Sequence, residues 1–181
     1  HGARRFRTEI GGQAASELAI KPSSAPDLQA GFAQVVNFFF PGPQILASEL
    51  MMRIGAAAAG EIIEGRALIF HDQYISSGGM MAELIRGVDR FTADLRPLLQ
   101  RATGQFSQGL CCHPYDIAAA ALVAEESGVV LTDGFGAAFQ PPLSPNDYAV
   151  HWIGYANPTL QTKIQPVVQQ FLGELGITSS G

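Results

Sequence analysis

Residues 113–133 read HPYDIAAAALVAEESGVVLTD, and this stretch decides the fold class of the chain. Its apolar, alanine-rich part predicts a helix over residues 115–127. Gly128 ends that helix, because glycine adopts the left-handed conformation without steric cost. The short apolar run at residues 129–132 is typical of a buried strand. Since alanine side chains are small, the helix can approach a sheet closely. The stretch therefore indicates a helix packed on a sheet.

Outward from this stretch, strand patterns alternate with helix patterns. The predicted strands cover residues 4–10, 32–40, 66–70, 89–95, 129–132 and 150–155. The predicted helices cover residues 44–59, 79–86 and 115–127, with a last one opened by Asn157 and Pro158. We expect Pro166 to kink or break that last helix, while residues 97–109 fit neither pattern. Strands that alternate with helices predict a layered α/β fold.

The composition is that of a chain with a substantial core, and it excludes several classes of function. The 181 residues are 47% hydrophobic and 15% charged, which argues against disorder. A net charge of −5 excludes a general nucleic-acid surface, because such a surface needs clustered basic residues. The longest apolar runs are too short to span a membrane. Cys111 and Cys112 are adjacent and have no third cysteine to pair with, which favours a reducing cytoplasm.

Asp116 lies at the start of the helix predicted over residues 115–127. A carboxylate is a preferred ligand for magnesium, so this residue is a candidate metal ligand. An acid at this position also caps a helix, because its carboxylate accepts hydrogen bonds from unpaired N–H groups and offsets the helix dipole. Spacing alone leaves both interpretations open.

The same stretch resembles the W-D-x-A-A-G…E-A-G-G signature of the inositol monophosphatase and fructose-bisphosphatase-like superfamily. The matching positions are Asp116, Ala118, Ala119, Glu126 and Gly128. The sequence departs from the signature at Tyr115, Ala120 and Ser127. In this family the aspartate is a metal ligand, so the resemblance implies that Asp116 binds metal and that Mg²⁺ is the cofactor.

A second stretch, residues 74–91, resembles the family's G-S/T-A-A…G-x-x-D-A-Y/F segment. The resemblance implies that a serine–glycine loop at a helix start binds the substrate phosphate, through Ser76, Ser77, Gly78 and Gly79. A loop of this kind presents backbone N–H groups and hydroxyls to an anion. An ordinary serine cap is the alternative. The resemblance also implies that Asp94 contacts substrate hydroxyls, against the alternative of a solvated acid at a strand end.

Residues 152–158 resemble the family's closing A-x-N-P segment, so the resemblance runs from about residue 28 to 172. It implies the C-terminal domain of a sugar-phosphatase-like protein, a layered α-β-α fold with a mixed, mostly parallel sheet, over residues 28–181. Residues 1–27 would then be a linker and a remnant of an N-terminal metal-binding domain. The turn-rich residues 21–27 agree with a linker.

The family's D-P-I/L-D-G-T motif, which supplies most of its magnesium ligands, does not occur in this sequence. We therefore expect part of a Mg²⁺-dependent phosphomonoesterase that hydrolyses an inositol or sugar phosphate when intact, and that is incomplete and inactive as this chain. One alternative is a non-catalytic phosphate-ligand binding or regulatory module. Another is a structural half that assembles with a separate chain over residues 32–40. The expected partner is a small phosphorylated polyol or sugar. We expect the chain to bind neither nucleic acid nor a membrane, and the sequence leaves open whether it forms a homodimer.

Overall fold

The structure is a computed structural model that describes residues 2–8, 11–12, 15–37, 40–72, 76–107, 109, 111–141 and 149–179. The strands in these ranges are β1 (Arg5–Thr8), β2 (Ala15–Leu18), β3 (Gly31–Val35), β4 (Ile69–Phe70), β5 (Asp89–Asp94), β6 (Val130–Thr132) and β7 (Trp152–Tyr155). The helices are α1 (Pro41–Ala58), α2 (Ser77–Arg86), α3 (Arg96–Ala102), α4 (Pro114–Ser127) and α5 (Pro158–Glu174). Within the described residues, no helix is both long and apolar enough to cross a membrane.

The main sheet has the strand order β4-β3-β5-β7-β6. β3 pairs in parallel with both β4 and β5, whereas β7 is antiparallel to β5 and β6. Within this sheet β7 therefore runs against the other four strands, which confirms the expectation of a mixed, mostly parallel sheet. β1 and β2 form a separate antiparallel pair.

Helices cover both faces of the sheet. On β7, Gly154 faces α2, because a Cβ atom at this position would overlap the Leu84 side chain. The next residue, Tyr155, faces α5, where its hydroxyl donates a hydrogen bond to Gln165 Oε1 at 2.6 Å. α2 packs against α4 on the first face, and α1 packs against α3 and α5 on the second. The predicted α-β-α layering is confirmed.

β3 is an inner strand, as its apolar sequence predicted. It lies between β4 and β5, and four of its five residues are buried. Its described part is therefore paired on both edges by this chain's own strands, and assembly with a separate chain stays a prediction. Residues 38–39, which belong to the strand predicted over residues 32–40, lie outside the described residues. Pro41 begins α1, because a proline in the first turn needs no N–H partner.

Several elements differ from the sequence-based expectations. β2 was not predicted, and β3 ends at Val35, whereas the predicted strand continued to residue 40. α3 was not predicted, because its seven residues, RPLLQRA, are too few to show a clear helical period. Pro166 does not break the last helix, since α5 continues to Glu174, and a kink at Pro166 stays a prediction. Ile164 and Val168, on either side of the proline, are fully buried. Their packing offsets the roughly 3 kcal/mol that a proline costs inside a helix.

The segment predicted as a linker, residues 21–27, is fastened to the start of α5. The side-chain amide of Asn157 donates hydrogen bonds to the carbonyls of Ser23 and Ala25, at 2.9 and 3.0 Å. The Asn157 side-chain oxygen also accepts from the backbone N–H of Leu160, as expected for a helix cap. One residue thus caps α5 and holds the preceding segment in place. The domain boundary after residue 27 stays a prediction.

Candidate anion-binding site

The predicted serine–glycine loop lies at the start of α2, but the helix begins at Ser77 rather than at Gly79, so Ser77, Gly78 and Gly79 form its first turn. Ser76 is the N-cap, and its Oγ accepts a hydrogen bond from the backbone N–H of Gly79 at 3.2 Å. The N–H of Met80 donates to the Ser76 carbonyl. The N–H groups of Ser77 and Gly78 have no acceptor within the described residues. The exposed hydroxyl of Ser76 can still donate its hydrogen to a ligand, because its cap bond uses only the oxygen.

The first turns of α2 and α4 lie against each other. A Cβ atom on Gly78 would stand 3.3 Å from the carbonyl oxygen of Asp116 and 3.9 Å from the Cβ of Ala120. The missing side chain of Gly78 thus permits the close approach of the two helices. Each helix start carries a partial positive charge, and at this contact the first turn of α2 lies beside the beginning of α4. Pro114 has no N–H, so Tyr115 supplies the first backbone donor of α4.

Asp116 lies in this first turn of α4, next to the start of α2. Its Oδ2 accepts a hydrogen bond from the backbone N–H of His113 at 3.1 Å, so the residue does act as a cap. The side chain is 47% exposed, and its Oδ1 accepts no hydrogen bond from the described residues. The cap bond uses one carboxylate oxygen of a side chain that is about half exposed. Metal ligation by Asp116 is compatible with this geometry and stays a prediction.

Asp94 ends β5 beneath the serine–glycine loop, and it is fully buried rather than solvated. Its Oδ1 accepts from the backbone N–H and the Nε of Arg96, at 3.3 and 2.8 Å. Its Oδ2 accepts from Arg96 Nη2 at 2.5 Å and from the Ser77 hydroxyl at 3.2 Å. The interpretation as a solvated acid is wrong, because the guanidinium replaces water around the carboxylate. Contact with substrate hydroxyls stays a prediction.

Arg96 is the residue of this region that sequence reasoning missed. It lies between the strand predicted over residues 89–95 and the unassigned residues 97–109, and a side-chain pair two residues apart has no helix or strand signature. The order Asp94-Leu95-Arg96-Pro97 offers one usable signal, an acid that ends a buried strand followed two residues later by arginine.

Two buried thiols lie in the same region and are poor nucleophiles at neutral pH. Burial raises the pKa of Cys112 to about 12 and that of Cys111 to about 11. A protonated thiol neither attacks an electrophile nor binds a metal well. This agrees with the absence of zinc-ligand spacing in the Cys111-Cys112-His113 sequence.

A resident divalent cation does not fit this part of the chain on its own. Magnesium takes six oxygen ligands and usually one or two carboxylates beside water and substrate. Within the described residues, no group of three or more acidic, histidine or cysteine side chains could hold a metal ion. Of the two predicted acids, Asp94 is fully engaged by Arg96 and Ser77, and only Asp116 has an oxygen to offer.

Three solved structures share this fold. The extragenic suppressor protein suhB from Bartonella henselae is 15% identical, over 92% of this chain and 53% of its own, with a TM-score of 0.56. Inositol monophosphatase from Anabaena (Nostoc) is 13% identical, over 92% and 54%, with a TM-score of 0.55. A Pyrococcus horikoshii protein with similarities to inositol-1 monophosphatase is 16% identical, over 86% and 49%, with a TM-score of 0.54.

The likeness lies in structure and not in sequence. No protein-family model matches the chain, and no curated protein matches it. The chain spans about half the length of the solved structures that it matches. Identities of this size establish the fold alone. The fold implied by the sequence motifs is thereby confirmed: this chain has the fold of inositol-monophosphatase-like proteins, over about half of their length.

Proposed function

We propose that the chain binds the phosphate group of a small phosphorylated polyol or sugar where α2 and α4 begin. The observation that carries the proposal is the junction of the two first turns at Gly78 and Asp116. An anion there would accept hydrogen bonds from the N–H groups of Ser77 and Gly78 and gain from both helix dipoles. The Ser76 oxygen accepts a hydrogen bond from the N–H of Gly79, so the Ser76 hydroxyl hydrogen can be donated to the same anion.

We further propose that this site belongs to a Mg²⁺-dependent phosphomonoesterase for inositol or sugar phosphates. The fold of inositol-monophosphatase-like structures and the half-exposed carboxylate of Asp116 support this. Because the described residues hold no group of three metal ligands, further ligands would have to come from outside the described residues. The chain's own part is then to hold and orient the phosphate, and the chain alone would be inactive. The buried thiols of Cys111 and Cys112 agree with a reducing compartment such as the cytoplasm.

A non-catalytic phosphate-binding or regulatory module is the second candidate. The full engagement of Asp94 by Arg96 and Ser77 favours it, because one of the two predicted acids is then not available for chemistry. Hydrolysis of inositol 1-phosphate and sugar phosphates with Mg²⁺ separates the candidates, using this chain and the product of its complete reading frame. Turnover by the complete product alone supports the enzyme, and binding without turnover by either supports the module. Turnover by the 181-residue chain would contradict its inactivity.

The variants Ser76→Asp and Ser76→Asn test the phosphate site, because the two new side chains are alike in size and differ by one negative charge. Both residues cap helices as well as serine does, so we expect wild-type thermal midpoints for both variants. Ser76→Asn should bind inorganic phosphate with affinity close to wild type. Ser76→Asp should bind at least about tenfold more weakly, because a carboxylate beside the anion repels it. Isothermal titration calorimetry measures both affinities, and equal affinities of the two variants would place the phosphate elsewhere.

A further inference from the structure

We propose, on the basis of the phosphate site proposed above, that the buried pair of Asp94 and Arg96 positions the start of α2 through Ser77. Asp94 is then a positioning residue that does not itself contact the ligand. The pair joins the end of β5 to the first residue of α3, directly beneath the loop that opens α2.

The geometry of the pair is that of a rigid support. Arg96 donates to both carboxylate oxygens of Asp94 through its guanidinium, at 2.8 and 2.5 Å, and adds its backbone N–H at 3.3 Å. Asp94 is fully buried and Arg96 is 8% exposed. A two-point arginine–carboxylate pair fixes the orientation of both planar groups, and burial protects it from competing water.

Ser77 transmits this rigidity to the helix start. Its buried hydroxyl donates to Asp94 Oδ2 at 3.2 Å, so the hydroxyl hydrogen is used and cannot also point to a ligand. Ser77 then offers a ligand its backbone N–H, whose direction depends on where the side chain is held. The hydrogen bond from Ser77 to Asp94 thus fixes the direction in which the backbone N–H groups of Ser77 and Gly78 point.

The pair also removes an electrostatic conflict. A lone carboxylate beneath an anion site would repel phosphate, but the guanidinium of Arg96 cancels the charge of Asp94 at hydrogen-bond distance. Four hydrogen bonds occupy the carboxylate, which leaves it no capacity to accept one from a polyol hydroxyl. Recognition through this region therefore concerns the phosphate group and not the hydroxyls of the ligand.

The test is a double-mutant cycle with two ligands, inorganic phosphate and glycerol 3-phosphate. The variants are Ser77→Ala, Arg96→Lys, which keeps the charge but loses the two-point geometry, and the double variant. We expect each single variant to lose affinity for both ligands by the same factor, about threefold to tenfold. The double variant should bind no more weakly than the weaker single variant. Calorimetry gives the affinities, and thermal midpoints confirm that each variant is folded.

Three results would overturn this role. They are a loss confined to glycerol 3-phosphate, additive losses in the double variant, and unchanged affinities in Arg96→Lys. Amide hydrogen exchange at Ser77 and Gly78 without ligand is an independent readout, expected to be faster in Arg96→Lys than in wild type. If the wild-type chain binds neither ligand, the proposed function fails. The exchange rates then decide by themselves whether the pair holds the start of α2, and unchanged rates would refute it.

Discussion

Arg96→Met is expected to lower the free energy of unfolding at pH 7 by about 3–5 kcal/mol, the largest effect of a single substitution that we predict here. Methionine keeps most of the buried side-chain volume but removes every guanidinium hydrogen bond. Asp94 is fully buried, and after the change its donors among the described residues are the backbone N–H of residue 96 and the Ser77 hydroxyl. A buried carboxylate without its counter-charge carries a large desolvation cost.

Arg101→Met is the matched control for this prediction. Arg101 lies in the same helix, α3, but is exposed, and its guanidinium stands over the ring of Phe106 at 5.1 Å. An exposed contact of this kind is worth about 0.5–1 kcal/mol. Urea unfolding of wild type and both variants gives the comparison. If Arg96→Met costs no more than Arg101→Met, the pair is not the support that the geometry describes.

Asp89→Asn is expected to raise the free energy of unfolding at pH 7 by up to about 3 kcal/mol. Asp89 is buried on β5, and its Oδ2 accepts a hydrogen bond from Gln34 Nε2 at 3.2 Å. Gln34 Oε1 is buried and has no partner among the described residues. Asparagine keeps the acceptor for Gln34 and adds an N–H₂ group that can donate to that oxygen.

The size and direction of this effect follow from the pKa of Asp89. Burial raises it from 3.8 to about 6, and the charges of Glu83 and Asp72 add to the rise while the hydrogen bond from Gln34 opposes it. Below about pH 4 the carboxyl is protonated in both states and causes no penalty. Between about pH 4 and 6 the unfolded chain ionises first, so unfolding releases a proton and the stability of wild type falls as the pH rises.

In Asp89→Asn that decline between about pH 4 and 6 should be much smaller. Urea unfolding at several pH values measures it, with Glu61→Gln, an exposed acid in the loop after α1, as the control. The control should follow wild type. A wild-type stability that rises with pH across this window would mean that Asp89 is stabilised as a carboxylate, and would refute the prediction.

The elements with terminal signals were predictable from the sequence. Gly87 and Gly128 end α2 and α4 in the left-handed conformation, and Asn157 caps α5. These signals work because they act between neighbouring residues. The local signals of α3 and of the pair of Asp94 and Arg96 are weaker: a proline in the helix's first turn, and an acid two residues before an arginine. The burial that stabilises both is not encoded in the sequence pattern. The persistence of α5 through Pro166 has the same origin.

The candidate site was predictable in its parts but not in its arrangement. The serine–glycine loop and Asp116 were identified from motifs, and the two helix starts do meet at Gly78. The sequence could not say that Asp94 is already satisfied by Arg96 and Ser77, because that depends on how β5 approaches α3. It also could not separate a cap from a metal ligand at Asp116, where the geometry is compatible with both roles.

The most direct measurement of the central claim is an NMR titration of the isotope-labelled chain with inorganic phosphate, followed through its backbone amide signals. If the two helix starts form one anion site, the amides of Ser77, Gly78 and Tyr115 will shift together and saturate at one phosphate concentration. A shared site would be contradicted if these amide signals of α2 and α4 did not shift, or if their shifts saturated at different phosphate concentrations.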